Sequence, residues 1–330
     1  MKPAGETLPV APPVPAAKAA SLSARAGAAP RLSPLVGLAC GIVAVSTASL
    51  LVRFAQQARA NSLAIAALRL SVAALVIAPA AWLRCRDELR RLSRLDLLVG
   101  LASGAFLGLH FATWISSLQY TSVASSVVLV TLSPIFVAIG SLLFLKERLP
   151  WPAMAGMIVA VAGGIVIALG DRAMSGMAGA NLALGNALAV AGALSIAPHF
   201  LIGRRLRVRL SLLAYISVVY SAAALVLLVA VAALRVPLAG FEPQAYVWVV
   251  LLALVPQLIG HTSFNWALGY LPATYATIPA LGEPIGSTLL AVAVLSEPLT
   301  PARTLGGALV LGGIALMAIA RSRRSSGAPA

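Results

Sequence analysis

Only 10% of the 330 residues are charged and 60% are hydrophobic, so the side chains able to do chemistry are few and their placement is informative. Glu283 is the acidic residue that falls inside a long apolar run, about ten residues from either end and directly before Pro284. A charged carboxylate at bilayer depth costs about 3 kcal/mol on insertion scales. Glu283 is therefore expected either to face a wet cavity, where it binds a proton or a substrate ammonium, or to stay neutral and hydrogen-bonded across helices. Arg69 is the basic residue left inside a run. It either snorkels to the headgroups or acts as a cavity cation for a carboxylate-bearing substrate or for Glu283.

Gln257, His261 and Asn265 recur at i, i+4 and i+8 of one run, which puts three hydrogen-bonding side chains on one helical stripe. Such a stripe lines a cavity or bonds between helices. His110, Trp114 and Ser117 share a face of another run, where Trp114 would stack on a substrate or pack at an interface. Tyr215 and Tyr220 are further lining candidates. Pro134 and Pro284 each delete a backbone donor inside an apolar run, so a kink is expected at each. Broken helices at matching places point to a transporter site, although proline also serves packing alone.

Enzyme chemistry has little to stand on. His110, His199 and His261 lie on different runs without metal-ligand spacing, and Cys40 and Cys85 form no redox or metal pair, Cys85 being expected in a basic loop. No GxxxxGK loop is present to cradle ATP, so no cofactor is expected and uphill transport would draw on an ion gradient, protons among them, or on exchange.

The elements that must hold these residues are membrane spans. Mean hydropathy is +0.97. Apolar runs of the length that crosses a bilayer core of roughly 30 Å recur along most of the chain. Ten are expected: 35–52, 63–83, 97–118, 123–145, 152–169, 181–203, 212–234, 246–268, 273–295 and 304–320. The net charge of +15 sits in the connections between them, which argues against a nucleic-acid groove. Alternate connections carry 18 Lys and Arg on the side holding both termini and 5 on the other, so both termini are expected to be cytoplasmic in an inner (plasma) membrane. Residues 1–34, rich in Ala and Pro, read as a disordered cytoplasmic tail, and 321–330 as a basic one.

Laid on itself at an offset of 150 residues, the chain matches Tyr120 with Tyr270, Pro134 with Pro284, Glu147 with Glu297, Gly156 with Gly306 and Gly163 with Gly313. Because each half holds five spans, the second must enter the membrane from the opposite side. The expected fold is an all-α membrane protein of ten transmembrane helices in two inverted five-helix repeats, 35–170 and 181–320, with a substrate site near the midplane. Glu147 and Glu297 read as structural caps at opposite faces. Gly100, Gly104 and Gly108, like Ala160, Gly164 and Ala168, read as close-packing positions.

Ala67–Leu68–Arg69, TSVASSVVLVTLSPIF running into LFLKERL, and in the second half NWALGYLPAT, GEPIGS, LLAVAVLSEPLT and GGALVLGGIAL, together resemble the EamA-type carriers of the drug/metabolite transporter superfamily. The resemblance covers roughly 35–320 and implies a carrier of small metabolites, not an enzyme. Amino acids or related zwitterions are the expected cargo and export the expected direction: Arg69 offers a carboxylate partner, Glu283 an ammonium partner and Trp114 an apolar wall. A multidrug or cation exporter is the alternative in the same class, and a passive pore the alternative of another.

Overall fold

The computed structural model describes residues 33–121, 123–147, 149–174, 181–295 and 300–326. The expected tail, except for its last two residues, and Glu297 lie outside the described residues. Among the described residues there is helix and no strand. The order is α1 (Pro34–Ser46), α2 (Ala48–Gln57), α3 (Ser62–Arg90), α4 (Arg94–Ser117), α5 (Val123–Val130), α6 (Ser133–Gly140), α7 (Trp151–Met174), α8 (Leu182–Arg207), α9 (Leu212–Ala233), α10 (Pro243–Leu252), α11 (Thr262–Ala267), α12 (Ala273–Thr277), α13 (Glu283–Leu295) and α14 (Pro301–Ser326). Wide π-helical segments follow α6 (Ser141–Leu145) and α10 (Ala253–His261), and a 3-10 turn (Ile278–Gly282) joins α12 to α13.

Among the described residues, seven helices are long and apolar enough to cross a membrane: Pro34–Gln57, Ser62–Arg90, Arg94–Ser117, Ser126–Leu145, Leu182–Arg207, Leu212–Ala233 and Pro243–Ala267. Shorter apolar helices span Trp151–Val166 and Thr304–Met317, and the run at 273–295 is interrupted by its 3-10 turn. The chain is an all-α, multi-pass membrane protein.

Local sequence explains where the long helices start. Asn61, Ser93, Asn181 and Ser211 stand just before α3, α4, α8 and α9, and each side chain accepts a hydrogen bond from a backbone N–H of the first turn. That satisfies a donor which the helix itself leaves free. Helix α3 runs on to Arg90 instead of ending near 83, so Cys85 lies within it, at a kink where φ is −130°, not in a loop. Apolar side chains such as Leu75, Leu83 and Phe144 stay exposed, and acyl chains solvate such a face as well as protein does.

Small residues set the closest helix approaches. Gly104 of α4 meets the Val219 carbonyl and Ala222 of α9, where an added Cβ would fall 2.5 Å from each. Helices α7 and α14 cross on glycine. A Cβ on Gly156 would fall 2.6 Å from the Gly313 carbonyl, and one on Gly163 would fall 2.6 Å from the Gly306 carbonyl. The pairs are reciprocal under the offset of 150, since Gly306 and Gly313 are the equivalents of Gly156 and Gly163. Reciprocity of this kind marks a local two-fold axis, and because 156 to 163 runs against 313 to 306 the two helices are antiparallel at the crossing.

Candidate functional site

A cavity opens where both proline-bearing runs break. In the first half the helix stops at Val130, turns at Thr131 and Leu132, and restarts at Ser133 with Pro134 in its first turn. In the second half α12 gives way to the 3-10 turn and α13 restarts at Glu283 with Pro284 next to it. Proline at the head of a helix costs nothing, because its missing N–H would have had no partner there. The restart residues Ser133 and Glu283 are equivalents at the 150 offset, and both line the cavity.

The cavity is lined by Val45, Ala48, His110, Trp114, Val130, Thr131 and Ser133 of the first half and by Ile196, Phe200, His261, Phe264, Ala280 and Glu283 of the second. Glu283 is the charged group of this lining. The cavity has room for water beside its polar groups.

The aromatic wall is ordered by stacking. The His110 and Trp114 rings are nearly parallel, 7° apart in plane with centroids at 6.1 Å, and the His110 and His261 rings meet edgewise at 6.2 Å. Nδ1 of His110 donates to the Gly192 carbonyl at 2.9 Å, and since a carbonyl only accepts, the proton sits on Nδ1. In the neutral ring Nε2 is then left as an acceptor. Trp114 Nε1 and His261 Nδ1 are buried without a hydrogen-bond partner.

Arg69, Gln257 and Asn265 lie in a layer behind this lining. Arg69 is fully buried and does not reach outward; its Cζ stands 4.0 Å above the centroid of the Phe111 ring. Phe111 in turn lies 5.0 Å from the His261 ring, and neither Arg69 nor Phe111 is on the cavity lining. None of the three guanidinium nitrogens has a hydrogen-bond partner, although Glu283 and Tyr220 act on Arg69 electrostatically. A buried cation without acceptors is expensive and calls for an anionic partner. Tyr220 OH exchanges a hydrogen bond with Thr262 Oγ1 at 3.0 Å and accepts a long one from Asn265 Nδ2 at 3.5 Å. The spacing of Gln257, His261 and Asn265 suggested one continuous stripe. The structure divides it, because the π-helical winding of Ala253–His261 around Pro256 changes the angular step. His261 faces the cavity, while Gln257 and Asn265 are fully buried behind it.

Tyr220, expected as a lining residue, is fully buried and is not on the lining. Phe111 and Ser133 belong to this arrangement and did not stand out as site residues in the sequence. Ser133 was legible as the offset equivalent of Glu283. Phe111 carried no such signal, being one apolar side chain among many. His199 lies apart, its Nδ1 sharing a hydrogen bond at 2.9 Å with Ser103 Oγ, which also reaches Tyr215 OH at 2.9 Å. Among the described residues no group of three His, Cys, Asp or Glu could hold a metal ion.

Comparison with known families decides the class. The model of the EamA-like transporter family matches residues 34–169 and again residues 183–319. The chain belongs to the EamA-like transporter family. It is a membrane transporter of small molecules, and the resemblance in its motifs is thereby accounted for. Two relatives of this transporter are uncharacterized transporters of Archaeoglobus fulgidus. One is 29% identical over 205 residues, 59% of this chain and 67% of the relative. The other is 26% identical over 263 residues, 79% and 88% respectively. A protein of known crystal structure shares the fold with a TM-score of 0.69 at 23% identity, covering 88% of this chain and 98% of its own.

Proposed function

We propose that this transporter is a secondary carrier of ten transmembrane helices in two inverted five-helix repeats, which exposes its cavity alternately to the two membrane faces. The observation that carries the reading is a cavity walled by both family-matched segments, with Glu283 as the charged group on its lining. Two further features support it. The reciprocal, antiparallel glycine crossing of α7 and α14 is what a two-fold axis in the membrane plane produces. The two helix restarts, at Ser133–Pro134 and at Glu283–Pro284, also meet at this one cavity.

The cargo this geometry fits best is an amino acid or related zwitterion with an apolar body, moved outward across the inner membrane by a protein whose termini are both cytoplasmic. The ammonium meets Glu283, the body lies against Trp114, His110 and Phe264, and Arg69 supplies the positive charge beside Phe111 for a carboxylate. Protonation of Glu283 would couple transport to a proton gradient. One observation favours the second reading, a cation or multidrug exporter: Arg69 is not on the cavity lining itself.

The test is counterflow in proteoliposomes. Vesicles loaded with a large aromatic amino acid should accumulate the labelled compound from outside with saturation. The corresponding amine, lacking the carboxylate, should compete weakly under the zwitterion reading and strongly under the cation reading. Unsaturable downhill flux with no counterflow would make the protein a pore and end the proposal.

A further inference from the structure

At one end of the molecule, remote from the lining, a small set of polar contacts ties the first half of the chain to the second. The chain leaves the π-helical segment Ser141–Leu145 through Lys146, whose φ of 56° is left-handed, and the sharp turn sends Glu147 sideways instead of onward. Just before it, Gly140 lies so close to Leu201 of α8 that a Cβ would fall 2.3 Å from Leu201 Cδ1. Glu147 is thereby laid against the second half. Its Oε1 takes a hydrogen bond from Arg204 Nε at 3.1 Å, and its Oε2 takes one from the Ala273 N–H at 3.2 Å. Arg204 donates on to the Leu268 carbonyl at 3.1 Å, and Arg207, one turn later, donates to the Asn265 carbonyl at 3.1 Å.

The turn between α11 and α12 is consequently held from two sides, by two arginines of its own half and by one carboxylate of the other half. That turn leads directly into α12 and the 3-10 segment that presents Glu283 to the cavity. Both members of the Glu147–Arg204 pair are about three-quarters buried, each with 24% of its side chain exposed, where salt and water screen less than at an open surface. By contrast, the Arg59–Glu242 pair spans 3.9 Å with 85% and 53% exposure. An ion pair so open contributes little.

We propose that Glu147 and Arg204 form the lock that keeps the cavity closed toward the face bearing the 146–150, 208–211 and 268–272 connections, and that this contact breaks each time cargo passes that face. The inference rests on the carrier reading. Glu147 bridges the halves here, so parting the walls at this end must strip the carboxylate from Arg204 and Ala273 together. The chemistry suits a switch. A charge-assisted contact is strong when closed, yet both groups can be rehydrated when open.

The experiment is side-specific labelling of a cysteine in the cavity, in full-length protein with Cys40 and Cys85 replaced by Ser and Ser133→Cys as reporter. A membrane-impermeant maleimide is applied from the face bearing residues 146–150. Glu147→Gln and Arg204→Gln are each expected to raise the labelling rate by at least about tenfold, the scale of a lost charge-assisted hydrogen bond. The exchange Glu147→Arg with Arg204→Glu should return the rate part of the way, because the pair is restored but the Ala273 N–H is not. Unchanged labelling in both single variants, or a double exchange that labels no more slowly than either single change, would overturn the lock. Counterflow by the unaltered protein separates the two claims: its absence would remove the carrier and the lock with it, whereas intact counterflow with unmoved labelling would remove the lock alone.

Discussion

Replacing Gly163 by Ala should destabilise the protein by an amount the α7–α14 crossing sets. The new Cβ would lie 2.6 Å from the Gly306 carbonyl oxygen, 2.8 Å from Leu309 Cβ and 2.8 Å from the Val310 backbone nitrogen. Ordinary contact starts at about 3.5 Å, and two of the three obstacles are backbone, so no side chain can swing aside and the helices must separate by close to 1 Å. Overpacking of this kind costs about 1–3 kcal/mol, and the better helix propensity of Ala returns up to about 1 kcal/mol. The expected net loss is about 1–2 kcal/mol, or about 2–5 °C in thermal unfolding of the detergent-solubilised protein. Gly156→Ala should match it, since its Cβ meets the Gly313 carbonyl at the same 2.6 Å. The double variant should cost less than the sum, because the first change already parts the helices that the second would part. Gly307→Ala and Gly312→Ala are the controls, as nothing lies within 4 Å of either added Cβ. If Gly156→Ala and Gly163→Ala unfold at the temperature of these controls, the crossing is not as close as described and the two-fold argument built on it fails.

Glu283→Gln should flatten the pH dependence of counterflow while leaving the protein folded, because it removes the proton-binding group from the cavity and keeps its size; a pH profile unchanged from the parent would end the coupling role. Arg69→Gln should reduce exchange of amino acids by at least about tenfold, the scale of one charge-assisted contact, and spare exchange of the matching amines; equal effects on both would remove the carboxylate role. Phe111→Leu keeps the site apolar but withdraws the ring on which the Arg69 guanidinium rests, and is expected to lower the unfolding temperature through a contact of about 1–2 kcal/mol. Glu242→Gln should change unfolding by less than about 0.5 kcal/mol, since its partner Arg59 is almost fully exposed, and a larger loss would show that the pair is not as open as described.

Much of this was legible in residue types and order. Hydropathy alone gave the helical runs, because a bilayer-spanning segment must satisfy its own backbone and so declares itself by length and apolarity. The offset of 150 pointed to Pro134 and Pro284 as equivalent helix interruptions, and four-residue spacing pointed to Gly104 as a close-packing position. Other features were hidden. The extension of α3 to Arg90 was masked by charge, since the basic residues after Leu83 read as loop although nothing in them forbids helix. The division of Gln257, His261 and Asn265 between two layers could not be read from spacing, because a four-residue period assumes an α-helical step and this segment is wound as a π-helix. Glu147 looked like a cap of its own helix. Its carboxylate instead reaches Arg204 and Ala273, 57 and 126 residues away in the chain.

What the sequence determined by itself was chemistry per unit length: which segments belong in lipid, which side chains are too polar to rest there unaided, and that the pattern occurs twice. These depend on local composition and on the cost of dehydrating charge and backbone, and both are fixed before any contact forms. What the tertiary structure alone decided was which polar groups share a space. Glu283 reached the cavity wall while Arg69 stayed off the lining against one phenylalanine ring, because the broken helices and the wide π-segment set directions in three dimensions that no spacing along a single run encodes.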